Sequence, residues 1–137
     1  MTNKLSFEAL DEMVRRAPFH RWLAVELAAL NDEDIVIRMP RREEMVSSVT
    51  HGYIHGGVLA SLVDLTAVFA IAAKLGRGAP TVDLRVDYHR PAITTELRAI
   101  GRVIRLGRTI ATAEATVLDA DGALVASGRG AFLPPSA

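Results

Sequence analysis

Four residues near the middle of the chain combine residue types and a spacing that could do chemistry: His55, Gly56, Gly57 and Asp64. The first three precede a run dominated by Ala and Leu that contains no further glycine or proline until Gly76, which predicts a helix. Backbone N–H groups at a helix start have no intrahelical acceptor, and glycine lets a ligand approach them closely. Such a start could hold a carbonyl oxygen or stabilise an oxyanion. Alternatively, the two glycines could simply form a tight entry into the helix.

Asp64 is an isolated carboxylate within this predicted helix, which is apolar on nearly every face. A carboxylate in such a place must be paired, hydrogen-bonded or functional, because burying an uncompensated charge is costly. It could be paired with an arginine for structural reasons. It could instead act as a base or a nucleophile, and the nearby segment 55–57 favours that second interpretation.

The other polar side chains around the helix start form weaker patterns. His51 and His55 are four residues apart, a metal-ligand spacing on a helix, but the sequence has no H-E-x-x-H pattern and no obvious third ligand nearby. We therefore predict no metal site and no cofactor, and we expect His55 to support the turn by hydrogen bonding. Ser61 and Thr66 have no histidine or lysine placed as a base, and no G-x-S-x-G turn exists, so a serine nucleophile is not predicted.

Composition limits the classes of protein that this chain could belong to. Its 137 residues suffice for one domain with a real core, and half of them are hydrophobic. Lys and Arg together number 16, as do Asp and Glu, so no electrostatic footprint for nucleic acid is present. The absence of cysteine excludes disulfides, thiolate metal sites and a cysteine nucleophile. Because the first nine residues contain no apolar run of signal-peptide length, we expect a cytoplasmic location.

The central helix is about as long as a membrane span, but Ser61, Asp64, Thr66 and Lys74 interrupt its apolar surface. A buried helix of a soluble protein is the better interpretation, and we predict no membrane partner. Before it, the spacing of apolar residues predicts a helix over residues 6–17, capped by Ser6. The segment 19–30 fits either period, and the turn that follows it favours a hairpin with a second strand over residues 35–39.

After the central helix the pattern is that of strands. Residues 81–90 alternate, with Val82, Leu84, Val86 and Tyr88 on one face and charged residues on the other. Three more strands are predicted over residues 96–105, 109–118 and 123–132, and the short turns predict an antiparallel meander of four strands. The expected fold class is α+β, with a curved antiparallel sheet wrapped around one long central helix. We predict that the whole chain, residues 1–137, forms a single domain with an N-terminal helical segment over residues 1–18.

These residues also carry a resemblance to a known family. The pattern G-x-x-H-G-G-x6-D, formed here by Gly52, His55, Gly56, Gly57 and Asp64, resembles the motif of the hotdog-fold acyl-CoA thioesterases of the phenylacetate-degradation (PaaI) type. The strand over residues 80–92 and the tail over residues 102–132 are similar to those of the family as well. The resemblance covers about residues 19–132, and its order of elements agrees with the one predicted above.

The resemblance implies a role for each matching residue. It implies that Asp64 is the nucleophile or the general base for water, and that the Gly56 backbone N–H polarises the thioester carbonyl. His55 matches the motif histidine, and Thr81 matches a hydroxyl residue that helps to orient the water. The family commonly has asparagine where this chain has Val49, so Ser48, Thr50 or His51 would have to supply that hydrogen bond.

An acyl-CoA substrate would need groups that hold its acyl and nucleotide parts. We expect Gly57, Thr50 and Tyr53 to line the substrate site, and Arg90 and Arg108 to contact CoA phosphates, with Arg105 and Arg129 as further candidates. Tyr53 and Phe69 could line a pocket for aryl or medium-chain acyl groups alike, so the sequence does not define the acyl group.

Two other functions compete with hydrolysis. An acyl-CoA hydratase of the same fold would typically show a D-x4-H motif, but Asp83 is followed at that spacing by Tyr88, and Asp34 by Met39. A non-catalytic acyl-CoA-binding protein is the other alternative. Retention of Asp64 argues against it, whereas Val49 argues for it.

The spacing of the motif makes a prediction about assembly. Gly56 and Asp64 are eight residues apart, which is ~12 Å along one helix axis. An Asp side chain and one water cannot span that distance, so both residues can act on one thioester only if they come from two chains. We therefore predict a homodimer with shared active sites, or a homotetramer made of two such dimers, in which the edge of the strand over residues 81–90 continues the sheet.

Overall fold

The computed structural model describes residues 2–135 and shows a six-stranded antiparallel sheet packed on a long helix. The helices are α1 (Phe7–Arg16), α2 (Pro18–Leu23) and α3 (Gly56–Leu75), and a 3₁₀ turn spans Glu43–Met45. The strands are β1 (Glu26–Leu30), β2 (Ile35–Pro40), β3 (Thr81–Tyr88), β4 (Glu96–Leu106), β5 (Ala111–Leu118) and β6 (Leu124–Phe132). Because strands β2 to β6 all contact α3, the predicted α+β architecture with one central helix is confirmed.

Helix α3 is the centre of the hydrophobic core. Its side chains are apolar on most faces because the sheet covers most of them. Gly76 ends the helix with a φ of 83°, a left-handed conformation that glycine adopts without strain. The helix has the length and hydropathy of a membrane span, but most of it is buried inside this protomer, as the sequence led us to expect.

Two strand glycines bring the sheet very close to α3. A Cβ atom at Gly101 of β4 would lie 2.7 Å from the Thr66 carbonyl oxygen, and one at Gly128 of β6 would lie 2.7 Å from Val63 Cγ1. Other buried positions on the last three strands carry alanine: Ala99, Ala111, Ala113, Ala115 and Ala126. Small residues on the sheet therefore let the helix pack tightly against it.

The prediction of a hairpin starting at residue 19 was wrong in its first half. Pro18 ends α1, as expected, but it also opens α2, where its fixed φ suits the first helical position. Ala24, at a φ of 59°, ends that helix, and only Glu26–Leu30 forms the strand that pairs with β2. The spacing of apolar residues in this short segment is compatible with a helix and with a strand, and Pro18 at the first helical position favours the helix.

The predicted four-stranded meander was also wrong, although each of its strands exists within two residues of the predicted bounds. The sheet order is β1-β2-β4-β5-β6-β3, so only β4, β5 and β6 form a meander. Strand β3 pairs with β6 instead of β4, because residues 89–95 form a long connection and not a tight hairpin turn. The predicted free edge of this strand is confirmed, since β3 lies at one end of the sheet.

One stripe of α3 is not covered by the sheet of its own protomer. Gly57 is exposed there and four further residues are only partly buried, at helical spacings of three and four: Ala60, Ser61, Asp64 and Val68. We call these five residues the open flank of α3. Strand β3 runs beside the site and also exposes apolar side chains, with Val82 59% and Tyr88 53% accessible.

Candidate active site

The start of α3 presents a backbone N–H group that has no acceptor. His55 caps the helix, and its Nδ1 accepts the N–H of Gly57 at 2.8 Å. The next N–H, that of Val58, is donated to the His55 carbonyl oxygen at 2.9 Å. Within residues 2–135, the Gly56 N–H makes no hydrogen bond, so it is available to an external oxygen atom.

The carbonyl oxygen of the same residue is held from the other side. The Tyr88 hydroxyl donates a hydrogen bond of 2.7 Å to the Gly56 carbonyl oxygen. The tyrosine ring lies so close that a Cβ atom at Gly56 would be 3.3 Å from its Cε1 and Cζ atoms. A larger residue at this position would therefore crowd the tyrosine ring, whereas glycine leaves room for the ring and access to its own N–H.

The segment before the helix is fixed by backbone hydrogen bonds. The His55 N–H is donated to the Met45 carbonyl oxygen at 2.8 Å, and the Ile54 N–H to the Ala92 carbonyl oxygen at 3.0 Å. These bonds hold the helix start between the 3₁₀ turn and the connection from β3 to β4. At the tip of the preceding loop, Val49 and Thr50 are exposed, so neither side chain enters the site within this protomer.

Asp64 is held by a hydroxyl group rather than by an arginine. The Thr81 Oγ1 hydroxyl donates a hydrogen bond of 2.7 Å to Asp64 Oδ1. None of the ion pairs within residues 2–135 involves Asp64, so the structural alternative of an arginine partner is not found there. The carboxylate lies on the open flank, where its second oxygen can reach a water or a substrate.

A β-bulge explains how Thr81 reaches that carboxylate. The pairing of β3 with β6 shifts between Thr81 and Asp83, so the strict alternation expected for this strand is broken at Val82, which is left exposed. Bulges bend a strand and re-aim a side chain, and they are over-represented beside active sites. The alternation holds from there on, with Leu84 and Val86 partly buried.

A cleft of about 400 Å³ opens at the start of α3. Its apolar floor includes Ile54, Leu59 and Ala92. Its rim carries polar and aromatic side chains: Tyr53, Tyr88, His89 and Arg90. The volume is within the range of small-molecule sites, and Gly56 forms part of the wall. The cleft therefore places an apolar surface next to the unengaged N–H.

The structure brings some of the predicted site residues together and leaves others apart. Tyr53 and Arg90 line the cleft with Gly56, whereas the N–H of Gly57 is taken by the cap. Arg108 lies in the turn between β4 and β5 and does not line this cleft.

Two residues of the cleft were missed by the sequence argument. Tyr88 was predicted only as a residue on the same face of the strand as Val82, Leu84 and Val86, and His89 was given no role. His89 Nε2 lies 2.8 Å from the Ser127 hydroxyl oxygen, which fixes the ring at the rim. The available signal was a hydroxyl-bearing aromatic residue at the very end of a strand, directly before the connection that closes the cleft.

Metal-ligand geometry is not found at this site. No three side chains of His, Asp or Glu within residues 2–135 lie close enough together to hold a metal ion. His51 lies in the loop before the helix, where its ring stacks on Tyr53 and its Nδ1 is 3.2 Å from Ser48 Oγ. The spacing of four between His51 and His55 is therefore not a helical one, since α3 begins only at Gly56.

Comparison with known proteins covers nearly the whole chain. Residues 51–126 match the family model described as the thioesterase superfamily. The chain is 31% identical to acyl-coenzyme A thioesterase 13 of Mus musculus, over 94% of this chain and 93% of the relative. It is 26% identical to the medium/long-chain acyl-CoA thioesterase YigI of Escherichia coli strain K12, over 97% and 96%. A solved structure of a protein from the thioesterase superfamily is 46% identical, with a TM-score of 0.92, over 94% of this chain and 98% of that one.

Proposed function

The chain belongs to the thioesterase superfamily and has its hotdog fold, and from this premise we propose that it is an acyl-CoA thioesterase. It would hydrolyse a CoA thioester to a free carboxylic acid and CoA, in the cytoplasm and without a cofactor. The observation that carries the proposal is a combination of two groups. Among residues 2–135, the Gly56 N–H has no acceptor and the Asp64 carboxylate is held by Thr81 alone. The curated relatives named as acyl-CoA thioesterases support the choice of CoA thioesters.

The chemistry assigned to these groups is an acyl transfer to water. The Gly56 N–H, at the positive end of the helix dipole, stabilises negative charge that develops on the carbonyl oxygen. Asp64 takes a proton from a water whose oxygen attacks the carbonyl carbon, the C–S bond breaks, and the CoA thiolate recovers a proton. As an alternative, Asp64 Oδ2 attacks the carbonyl carbon, the C–S bond breaks and the CoA thiolate leaves and takes up a proton, and water then hydrolyses the resulting anhydride. In both cases the hydrogen bond from Thr81 fixes the orientation of the carboxylate.

The distance between these groups supports a shared site. Gly56 and Asp64 are separated by two turns of α3, ~12 Å along its axis, so one chain cannot place both on one thioester. We propose that two antiparallel α3 helices meet through their open flanks, so that each Asp64 lies beside the partner's Gly56. The exposed flank and the free edge of β3 provide the surfaces for this contact. The assembly is a homodimer, or a homotetramer built from two such dimers.

The proposal is tested by thiol release from a panel of CoA thioesters with aryl, short-chain and medium-chain acyl groups. We expect turnover of at least one class, followed with a thiol reagent. The same panel would establish the acyl preference. Tight binding of several acyl-CoA molecules without thiol release would instead favour the non-catalytic acyl-CoA-binding protein. The observation in its favour is that Val49 stands where the resembling family commonly has asparagine.

Replacing Thr81 by alanine should lower kcat by about three- to tenfold, because one hydrogen bond that orients Asp64 is lost. Steady-state kinetics on the best thioester of the panel measures this change. Val49→Asn should retain activity, because that side chain lies in an exposed turn and no present contact is removed. A Thr81→Ala enzyme with wild-type kinetics would remove Thr81 from the site but would leave the Asp64 assignment standing.

Mixing two inactive variants should restore activity. A heterodimer of an Asp64→Asn chain and a Gly56→Pro chain contains one intact site, formed by Gly56 of the first chain and Asp64 of the second. We expect about half of the wild-type turnover per dimer, and sedimentation should show no active monomer. Chains with two different affinity tags allow the heterodimer to be purified. A folded heterodimer without activity, or a fully active monomer, would contradict the shared site.

A further inference from the structure

Strand β3 contacts both halves of the proposed catalytic apparatus. Its first residue, Thr81, donates a hydrogen bond to Asp64, and its last residue, Tyr88, donates one to the Gly56 carbonyl oxygen. The two bonds are of equal length, 2.7 Å. The strand therefore runs along α3 in the opposite direction and is fastened to it at both ends.

The contact at Tyr88 fixes one of the two peptide groups that meet at the Gly56 Cα, the one formed with Gly57. Its ring is packed against the Gly56 Cα, and its hydroxyl holds the carbonyl oxygen of the same residue. The Gly56 N–H belongs to the other peptide group, formed with His55, whose carbonyl oxygen accepts the Val58 N–H at 2.9 Å. With the Gly56 Cα and the peptide groups on both sides of it held, the direction of the Gly56 N–H is fixed as well. The side chain is 53% exposed, so it is not a core residue whose place is explained by burial alone.

We propose that Tyr88 is a positioning residue that aims the Gly56 N–H at the substrate carbonyl. This inference rests on the proposed thioesterase function. A hydrogen-bond donor stabilises an oxyanion only when it already points to the place where the charge develops. A small misalignment at such a site costs a large factor in rate, although substrate binding changes little. Tyr88 therefore acts through Gly56 and need not touch the substrate carbonyl itself.

If the active sites are shared, each end of β3 can be assigned to one of the two sites. The Tyr88 of one chain supports its own Gly56, which works with the partner's carboxylate at the first site. The Thr81 of the same strand supports its own Asp64, which works with the partner's helix start at the second site. One β3 strand thus serves both active sites of the dimer, one at each end.

Removing only the hydroxyl group tests the positioning role. Tyr88→Phe keeps the ring against Gly56 and, at an exposed position, should fold normally. We expect kcat to fall about tenfold while KM for the same CoA thioester changes less than twofold, because alignment in the transition state is lost and not ground-state binding. An unchanged kcat, or a loss confined to KM, would overturn the proposal.

Placement in a heterodimer separates positioning from a general effect on the fold. In a heterodimer in which one chain carries Asp64→Asn, one active site keeps both catalytic groups. That site uses Gly56 of the Asp64→Asn chain and Asp64 of the other chain. Tyr88→Phe on the Asp64→Asn chain should give about one tenth of the turnover found when it is placed on the other chain. Two differently tagged chains, purified through both tags, provide the two heterodimers with the same composition.

The possible outcomes distinguish this inference from the proposed function. Equal turnover for the two placements would overturn the positioning role, because a structural effect does not depend on the chain that carries Asp64→Asn. A reversed ratio would overturn the assignment of Tyr88 to the site that the partner's carboxylate completes. The proposed function is tested separately, by measuring thiol release by the wild-type protein and its loss in the Asp64→Asn homodimer.

Discussion

Asp64→Asn should lower kcat on the best CoA thioester by about a hundred- to ten-thousand-fold while leaving the fold intact. This is the usual cost of losing a general base, and the loss of a nucleophile would be at least as severe. Asparagine has the same shape, and its side-chain carbonyl can still accept the hydrogen bond from Thr81. Steady-state kinetics gives the rate, and the midpoint of urea unfolding shows whether stability has changed.

Asp83→Asn is the matched control for this variant. Asp83 is also a carboxylate, two residues after Thr81 on β3, but it is exposed and its charge can be removed without changing α3. We expect wild-type turnover from it. Near-wild-type turnover of Asp64→Asn would show that the mechanism assigned to this carboxylate is incorrect, whatever the activity of the protein.

Gly56→Pro should lower kcat by about a hundred- to a thousand-fold, the range found when one oxyanion donor is removed. Proline lacks the N–H, and at the first position of a helix no intrahelical hydrogen bond is lost with it. The preceding residue, His55, already has a ψ of 136°, which is the extended conformation that proline requires before it. The backbone therefore accommodates the change, and the effect reports on the missing donor.

Gly56→Ala separates the donor from the added side-chain volume. Alanine retains the N–H but introduces the same Cβ atom, 3.3 Å from the Tyr88 ring, which must shift slightly toward solvent. We expect a loss much smaller than that of Gly56→Pro, measured as kcat on the same thioester. If the two variants lose the same factor, crowding of Tyr88 rather than loss of the N–H explains the result.

The parts of the fold that the sequence predicted were those with strong local signals. Helix α3 has a start marked by glycines, an apolar run and a C-terminal Gly76, and its bounds came out as expected. The order of the strands could not be predicted in this way. The pairing of β3 with β6 depends on contacts between distant segments, and the alternation of apolar residues within one strand contains no information about them. For α2, the spacing of apolar residues fitted both a helix and a strand, and Pro18, which ends one helix and starts the next, favoured the helix.

The residues of the candidate site were likewise predicted only in part. Residue types and spacing singled out Gly56 and Asp64, and the resemblance added Thr81. Tyr88 was missed because its role requires the end of β3 to meet the start of α3, a contact across 32 positions of sequence. The open flank was missed because composition does not show which side of a mostly apolar helix its own sheet leaves uncovered.

The close contact of the sheet with α3 has a consequence for the evolution of substrate range. At Gly101 and Gly128 even a methyl group would collide with the helix, so an acyl chain cannot pass between the two layers there. Selection for a longer or bulkier thioester must therefore act on the periphery of the protomer: the cleft, the open flank and the edge strand. The interior can stay constant through such divergence. Changes in acyl preference therefore need not disturb the packing of α3 against its own sheet.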